Sequence, residues 1–289
     1  MTQPAPDEID DPADVSLVDL HAHTTASDGT ATPERFVQAA CAAGLRAVAV
    51  TDHDTVAAVP AVRDLATGTG LRVVAGVELS VHDDAGKEVH LLGLHLADLA
   101  MVDAALASVR DARVERARAI VGKLNALGVP VGMDAVLAES GGGAVGRPHV
   151  ARALVKAGHA PAMQAAFDRW LGAGRPAYVE KERLSVADGI ALVRRAGGIS
   201  VWAHPGPDGT RERIAALAAL GLDGVEVRHP SHGVADIKRL RGHVSALGLV
   251  PSGGSDWHGA SEGPRTLGCM RVSAAWMDRQ LEYLTRREA

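Results

Sequence analysis

Two histidines two residues apart, His21-Ala22-His23, sit in an apolar–polar alternation over 16–24. That alternation reads as a strand, and in a strand side chains at i and i+2 share a face. Two imidazoles side by side are what a metal ion needs from one strand. Asp28-Gly29 follows as a turn that brings a carboxylate back toward the strand end. Alone, such a pair serves packing as well as it serves a metal. Three further stretches answer it. Thr51-Asp52-His53-Asp54 ends the apolar run 47–50, Ala203-His204-Pro205-Gly206 ends the run 199–202, and Gly254-Ser255-Asp256-Trp257-His258-Gly259 ends the run 249–251. Glu78 and His90 lie in the two arms of a hairpin. The candidate ligands are His21, His23, Asp28, His53, Glu78, His90, His204, Asp256 and His258. N and O donors without a thiolate suit two or three first-row metal ions. Closely spaced ions lower the pKa of a bound water and neutralise phosphate oxygens, so phosphoester hydrolysis is the matching chemistry.

Positioning these groups takes alternating strands and helices. Thr32 caps a helix opened by Pro33-Glu34, with Phe36, Val37, Ala40 and Ala43 on one stripe and Gly44 at its end. A strand over 47–50, a helix over 59–66, a strand over 72–81, a turn at Asp83-Asp84-Ala85-Gly86 and a returning strand over 88–94 follow. From about Asp98 the pattern changes. Val114, Ala117, Val121 and Leu124 recur at helical spacing up to Gly128, and helical patterns also cover 134–139, 148–157 and 161–171. Alternation then resumes: helix 186–196, strand to His204, helix 211–220, strand 224–227, helix 234–247, a strand ending near Asp256 and a helix from Ala274. This is the layout of an α/β barrel with polar residues at the C-terminal strand ends. The expected organisation is a disordered tail at 1–14, a barrel over 15–99 and 177–289, and an inserted helical subdomain at 100–176.

Composition narrows the class. The chain has 289 residues, 47 % of them hydrophobic and only 3 % aromatic, so its core must be built from Ala, Val, Leu and Ile. A net charge of −5 argues against a nucleic-acid coat protein, though not against a local grip on a few phosphates. The two cysteines, Cys41 and Cys269, lie in apolar surroundings and read as reduced, buried thiols of a cytoplasmic protein. No basic and apolar leader reads as a signal peptide. No apolar run reaches the roughly 18 residues of a membrane span.

Further groups qualify as substrate contacts. Arg147-Pro148-His149 opens a helix inside the insert, whose first N–H groups favour an anion while Arg147 adds a bidentate fork. Lys181 and Arg194 flank the return to the barrel. Arg147, His149, Lys181 and Arg194 are therefore the candidate phosphate binders, against a background of solvated surface charge. His229 and His232 follow a strand and could line the site; Asp256, Glu78 and His232 are the catalytic candidates. Other chemistries fail on spacing. Ser140-Gly141-Gly142-Gly143 lacks the Lys of a P-loop, and Gly68-Thr69-Gly70 precedes a strand instead of opening a helix. Gly253-Gly254-Ser255-Asp256-Trp257 lacks the closing Gly of a nucleophile elbow.

These motifs, in this order and over about 17–271, resemble the PHP (polymerase and histidinol phosphatase) domain family. The insert with Gly146-Arg147-Pro148-His149 resembles its stand-alone subgroup, which includes nucleoside 3′,5′-bisphosphate phosphatases and the 5′-to-3′ exoribonuclease called RNase AM. The resemblance implies a distorted (β/α)7 barrel with a trinuclear site, loaded with Mn, Fe or Zn. It implies that His21, His23, Glu78 and Asp256 hold one ion, Glu78, His90 and His204 a second, and Asp28, His53 and His258 a third. It implies a phosphoesterase that uses a metal-activated hydroxide on a small phosphorylated nucleotide or the 5′-phosphorylated end of a short RNA. The rivals are a histidinol-phosphate phosphatase, a non-catalytic metal-binding module, and a proofreading exonuclease domain acting in trans. The first differs only in substrate. The second needs a broken ligand set, which this sequence does not have. The third needs a polymerase partner.

Overall fold

The computed structural model describes residues 17–180 and 184–288. The expected tail at 1–14 and the candidate phosphate binder Lys181 lie outside the described residues. β1 (Leu17–Asp19), α1 (Pro33–Ala42), β2 (Leu45–Val50), α2 (Val59–Ala66) and β3 (Arg72–His82) alternate, with the three strands parallel. Strands of this kind are covered on both faces, so β2 reads as a nearly continuous apolar run instead of an alternation. Asp83 then reverses the chain. Its Oδ1 accepts from the amides of Ala85 (3.1 Å) and Lys87 (2.8 Å), and Gly86 takes φ +75°. β4 (Glu88–Leu94) consequently returns antiparallel to β3.

That reversal leaves the chain at the bottom of the sheet, and one long helix brings it back. α3 (Leu99–Ala126) has 28 residues, about 42 Å at ~1.5 Å each. Its first half buries Val102, Leu106 and Val109 in the barrel core. Its second half buries Ala117, Ile120, Val121 and Leu124 in a separate apolar cluster. That cluster is completed by α4 (Met133–Ser140), α5 (Arg147–Lys156), α6 (Met163–Ala166) and a π-turn over Phe167–Leu171, through Val136, Val150, Leu154, Trp170 and Leu171. The helix expected over 161–171 is therefore two pieces with different winding.

The chain rejoins the sheet at β5 (Leu184–Ser185), beside the end of β3. α7 (Val186–Arg195), β6 (Ile199–Trp202), α8 (Arg211–Ala219), β7 (Gly224–Arg228), α9 (Val234–Ala246), β8 (Val250–Gly253), β9 (Val272–Ser273) and α10 (Ala274–Glu288) follow. The order across the sheet is β8-β7-β6-β4-β3-β2-β1-β9. Its two ends nearly meet: Leu20 donates to the Gly253 carbonyl (3.1 Å) and His23 to that of Trp257 (2.8 Å). Gly254 lies on this seam, where a Cβ would stand 2.4 Å from the His21 nitrogen, so only glycine fits. The result is a nearly closed α/β barrel with β1, β2, β3, β4, β6, β7 and β8 as staves and the helical segment inserted between β4 and β5.

One expectation changes in detail. The strand expected over 16–24 ends at Asp19, short of both histidines. Side chains there add to the isolated backbone partners. The Asp19 carboxylate accepts from the amides of His21 (3.3 Å), Ser255 (3.0 Å) and Gly268 (2.8 Å), and Thr51 Oγ1 accepts from Ala22 (2.9 Å).

Arg113 stands where α3 passes from one core to the other. Its Nε donates to Asp54 Oδ2 (2.8 Å), its Nη2 reaches the same oxygen, and its Nη1 donates to the Val145 carbonyl (3.4 Å). Asp54 Oδ1 in turn accepts from the Ser80 amide (2.9 Å). Both partners of this pair are buried. Replacing Arg113 by Met would take the guanidinium partner from the buried Asp54 carboxylate, and breaking such a pair costs about 3–5 kcal/mol. Denaturant unfolding of Arg113→Met should report a loss of that size; a loss under about 1 kcal/mol would show that the pair does not fasten the insert to the barrel.

Candidate metal centre

The staves end in donors. His21 and His23 follow β1, His53 follows β2, Glu78 lies in β3, His90 in β4, His204 follows β6, and Asp256 and His258 follow β8. Asp28 comes from the loop between β1 and α1. At their centre is Glu78, 1 % exposed. Its Oε2 lies 3.3 Å from His21 Nε2, 3.2 Å from His23 Nε2 and 3.2 Å from His53 Nδ1. Its Oε1 lies 2.8 Å from His90 Nδ1 and 3.1 Å from His204 Nε2. Asp256 Oδ1 closes one side, 3.5 Å from His21 Nε2 and 3.2 Å from His23 Nε2. Asp28 closes another, 3.2 Å from His258 Nε2 and 3.8 Å from His53 Nε2.

Three overlapping groups place their ligand atoms within 4.8 Å of one another: His21, His23, Glu78 and Asp256; His53, Glu78 and His90; and His23, Asp28, His53 and His258. His204 borders the second group, its Nε2 being 3.3 Å from His90 Nδ1. A neutral imidazole has one lone pair, so His53 can serve one group at a time. The atoms behave as ligands would. His21 Nε2, both His23 nitrogens, Asp28 Oδ1, His53 Nδ1 and Glu78 Oε2 are buried without a hydrogen-bond partner. They sit close to opposite charge yet point into shared space, which divalent cations fit.

Two of the imidazoles, His21 and His258, are aimed by a partner on the far side. His21 Nδ1 donates to Glu226 Oε1 (3.0 Å), and Glu226 Oε2 accepts from the His204 amide (2.7 Å). His258 Nδ1 donates to the Asp256 carbonyl (2.9 Å). Asp52 accepts from the Thr24 amide (2.7 Å), Thr24 Oγ1 (2.7 Å) and Ser27 Oγ (2.6 Å), fixing the loop that carries Asp28. Asp54, His204 and Asp256 all take positive φ (51°, 32° and 50°), strained turns that redirect the chain beside the donors.

Charge follows this geometry. Burial opposes a charged His23, but Asp256 and Glu78 outweigh it and raise its pKa to about 10. Burial likewise opposes a charged His90, and Glu78 with Glu88 raises it to about 9. Burial wins at His53 and lowers it to about 3. Glu78 is held well below the usual carboxylate range, against burial, by His53, His21 and His90. Asp28 and Asp256 are held low in the same way by neighbouring histidines.

Several residues read from sequence as site residues stand elsewhere. His149 is fully buried: its Nδ1 accepts from the Gly146 amide (2.9 Å) and its Nε2 donates to the Ser27 carbonyl (2.9 Å), leaving nothing for a phosphate. His232 is spent in the same way, on the Gly206 amide (3.1 Å) and the Val227 carbonyl (3.0 Å). Its neighbour His229 is the one turned to the centre, with Nε2 3.4 Å from Asp256 Oδ2. Arg194 ends α7 just before β6 begins, so it lies at the bottom of the barrel, beside Gly221. Arg147 stays in the helical segment, its Nη1 on the Leu171 carbonyl (3.3 Å). Two charged groups at the centre were missed. Glu226 sits in the apolar stave Gly224–Arg228, where a carboxylate needs a buried partner, and that was its signal. Arg265 pairs with Asp256 Oδ2 from a loop that carries no such signal.

A PHP domain model matches residues 19–172. The chain is 35 % identical over 260 residues to a 3′,5′-nucleoside bisphosphate phosphatase of Chromobacterium violaceum, covering 87 % of this chain and 90 % of that protein. It is 39 % identical over 251 residues to the 5′-3′ exoribonuclease Rnm of Salmonella typhimurium, covering 84 % and 85 %. A Bifidobacterium adolescentis structure described as a metal-dependent phosphoesterase superposes with TM-score 0.83 at 34 % identity, over 91 % of this chain and 95 % of that one. This chain belongs to the PHP family. No helix among its described residues is long and apolar enough to cross a membrane.

The charge arrangement predicts a pH response for chelator-treated protein. His23 and His90 titrate higher folded than unfolded, so their contribution is complete below about pH 6.5 and fades as pH rises toward 9 and 10. His53 titrates lower, so stability falls as pH drops below about 6.5, and the depressed carboxylates add to that fall at lower pH. Melting temperature should therefore peak near pH 6.5 after chelation and shift upward in pH with saturating Mn, because ligands bind metal deprotonated. A chelated protein that gains stability between pH 7 and 9 would contradict these charge states.

Proposed function

We propose that the protein is a metal-dependent phosphoesterase acting on phosphate esters of nucleotides, as a 3′,5′-bisphosphonucleotide phosphatase, a 5′-to-3′ exoribonuclease on short 5′-phosphorylated RNA, or both. The observation that carries this reading is the convergence of His21, His23, Asp28, His53, His90, His204, Asp256 and His258 around one buried carboxylate, Glu78, at a barrel mouth. The names of the two sequence relatives support the substrate class.

In this reading the nine residues hold two or three divalent ions, Mn first and Fe or Zn as alternatives, with Glu78 shared between groups. Bound there, the ions would supply an activated water and neutralise charge on the phosphoryl oxygens. The chain's own groups do the rest. Glu226 fixes His21 with its Nε2 facing inward. Ser231 donates to His229 Nδ1 (3.1 Å), which leaves the His229 Nε2 proton directed at Asp256. The half-exposed guanidinium of Arg265 is at the rim, beside Asp256, where it can add a fork to a phosphoryl group. In this reading the helical segment limits access to the mouth, with Arg147 held inside it on the Leu171 carbonyl.

The test is phosphate release by Mn-loaded protein offered adenosine 3′,5′-bisphosphate, AMP, histidinol phosphate and a short 5′-phosphorylated RNA. Turnover should favour the bisphosphate or the RNA, and Asp256→Ala should lower kcat by roughly a thousandfold or more. Preference for histidinol phosphate, or near-normal turnover in Asp256→Ala, would overturn the reading.

A further inference from the structure

The three candidate ligand carboxylates are not alike. Among the described residues Glu78 and Asp28 form ion pairs only with histidines. Asp256 alone also carries a guanidinium. Its two oxygens are divided between inside and outside. Oδ1 faces the centre, 3.5 Å from His21 Nε2 and 3.2 Å from His23 Nε2. Oδ2 faces outward, with His229 Nε2 at 3.4 Å and Arg265 Nη1 in contact. Of these two outer partners Arg265 is the permanent charge, since a guanidinium does not deprotonate in proteins. No other carboxylate among the described residues pairs with it.

The fold supports both sides of this contact. Arg265 lies in the loop between β8 and β9. Beyond it that loop is fastened twice: the Gly268 amide donates to Asp19 Oδ2 (2.8 Å), and Arg228 Nη1 donates to the Met270 carbonyl (3.1 Å). The aspartate keeps its place without Arg265. Its backbone turns through φ 50°, and its carbonyl accepts from His258 Nδ1 (2.9 Å). The Ser231 amide donates to His229 Nδ1 (3.1 Å), so the His229 N–H is on Nε2 and already holds Oδ2. What Arg265 adds is charge.

Charge matters at this carboxylate. With neutral imidazoles, the group His21, His23, Glu78 and Asp256 offers a divalent ion two carboxylates, enough to cancel it. A guanidinium on the outer oxygen draws charge from the inner one. It does so across a side chain only 14 % exposed, where water screens little. We propose that Arg265 tunes the ion held by His21, His23, Glu78 and Asp256: acting through Asp256, it weakens the grip on the cation and leaves that cation more positive. The benefit to a phosphoryl oxygen meeting that ion rests on the phosphoesterase reading; the effect on metal affinity does not.

Affinity for the metal itself is the test, on the full chain. Chelator-treated protein is titrated with Mn at low ionic strength, free Mn being read by electron paramagnetic resonance. Wild type is compared with Arg265→Lys, Arg265→Gln and Arg265→Glu. Losing the positive charge should tighten Mn binding about 3- to 10-fold in Arg265→Gln, the size of a partly exposed charge pair. Arg265→Glu should tighten it further, and Arg265→Lys should stay within about twofold of wild type. The gap between wild type and Arg265→Gln should narrow at about 1 M salt, where the screening length falls to about 3 Å. A merely structural role for the loop would not order the variants by charge. A folded Arg265→Gln that binds Mn as wild type does, or more weakly, would overturn the proposal. So would an Arg265→Lys that shifts as far as Arg265→Gln. Tightened Mn binding in a protein that hydrolyses no phosphate ester would keep the role of Arg265 and remove the phosphoesterase reading.

Discussion

One buried carboxylate governs this molecule. Glu78 lies in the middle of a stave at 1 % exposure, where an isolated negative charge would be prohibitive. Five imidazoles, from His21, His23, His53, His90 and His204, reach within 3.3 Å of it. They come from the ends of β1, β2, β4 and β6, so the charge is compensated only when those staves stand in the right order. The same convergence leaves lone pairs pointing at common space instead of at each other. A site that must be electrostatically incomplete in order to take cations is thereby held together by its surroundings.

Those surroundings form a continuous support. Glu226 braces both His21 and the His204 backbone, and Asp52 and Asp54 brace the loops on either side of His53. The reversal of β4 has a longer reach. It obliges the chain to climb from the bottom of the barrel to its mouth, and α3 does so in one helix with two apolar partners. Arg113, at the change of partner, ties that helix to the residue after His53. The helical segment and the candidate ligand His53 are thus mechanically coupled.

Much of this was legible in the sequence, for definite reasons. His53, His204, Asp256 and His258 follow short apolar runs, and a barrel puts everything that follows such a run at one rim. The hairpin through Asp83 and Gly86 announced itself by turn chemistry, and with it the placement of Glu78 and His90. What was not legible depends on the direction of a side chain or an element in space. His149 and His232 have suitable positions along the chain, but each ring turns inward and is saturated by backbone groups. Arg194 lies on the right helix but at its lower end. Arg113 reads as one charge among many on a long helix, because only the tertiary fold brings Asp54 to it.

The measurement that tests the account most directly is the metal content of Glu78→Gln beside wild type, by elemental analysis after Mn loading and removal of free metal. Glutamine keeps the size of the side chain and removes the shared charge. Wild type should retain two or three ions per chain, and Glu78→Gln, still folded by circular dichroism, should lose the ions of both groups that include Glu78. A folded Glu78→Gln that keeps the full complement would contradict the claim that this carboxylate is the centre of the site.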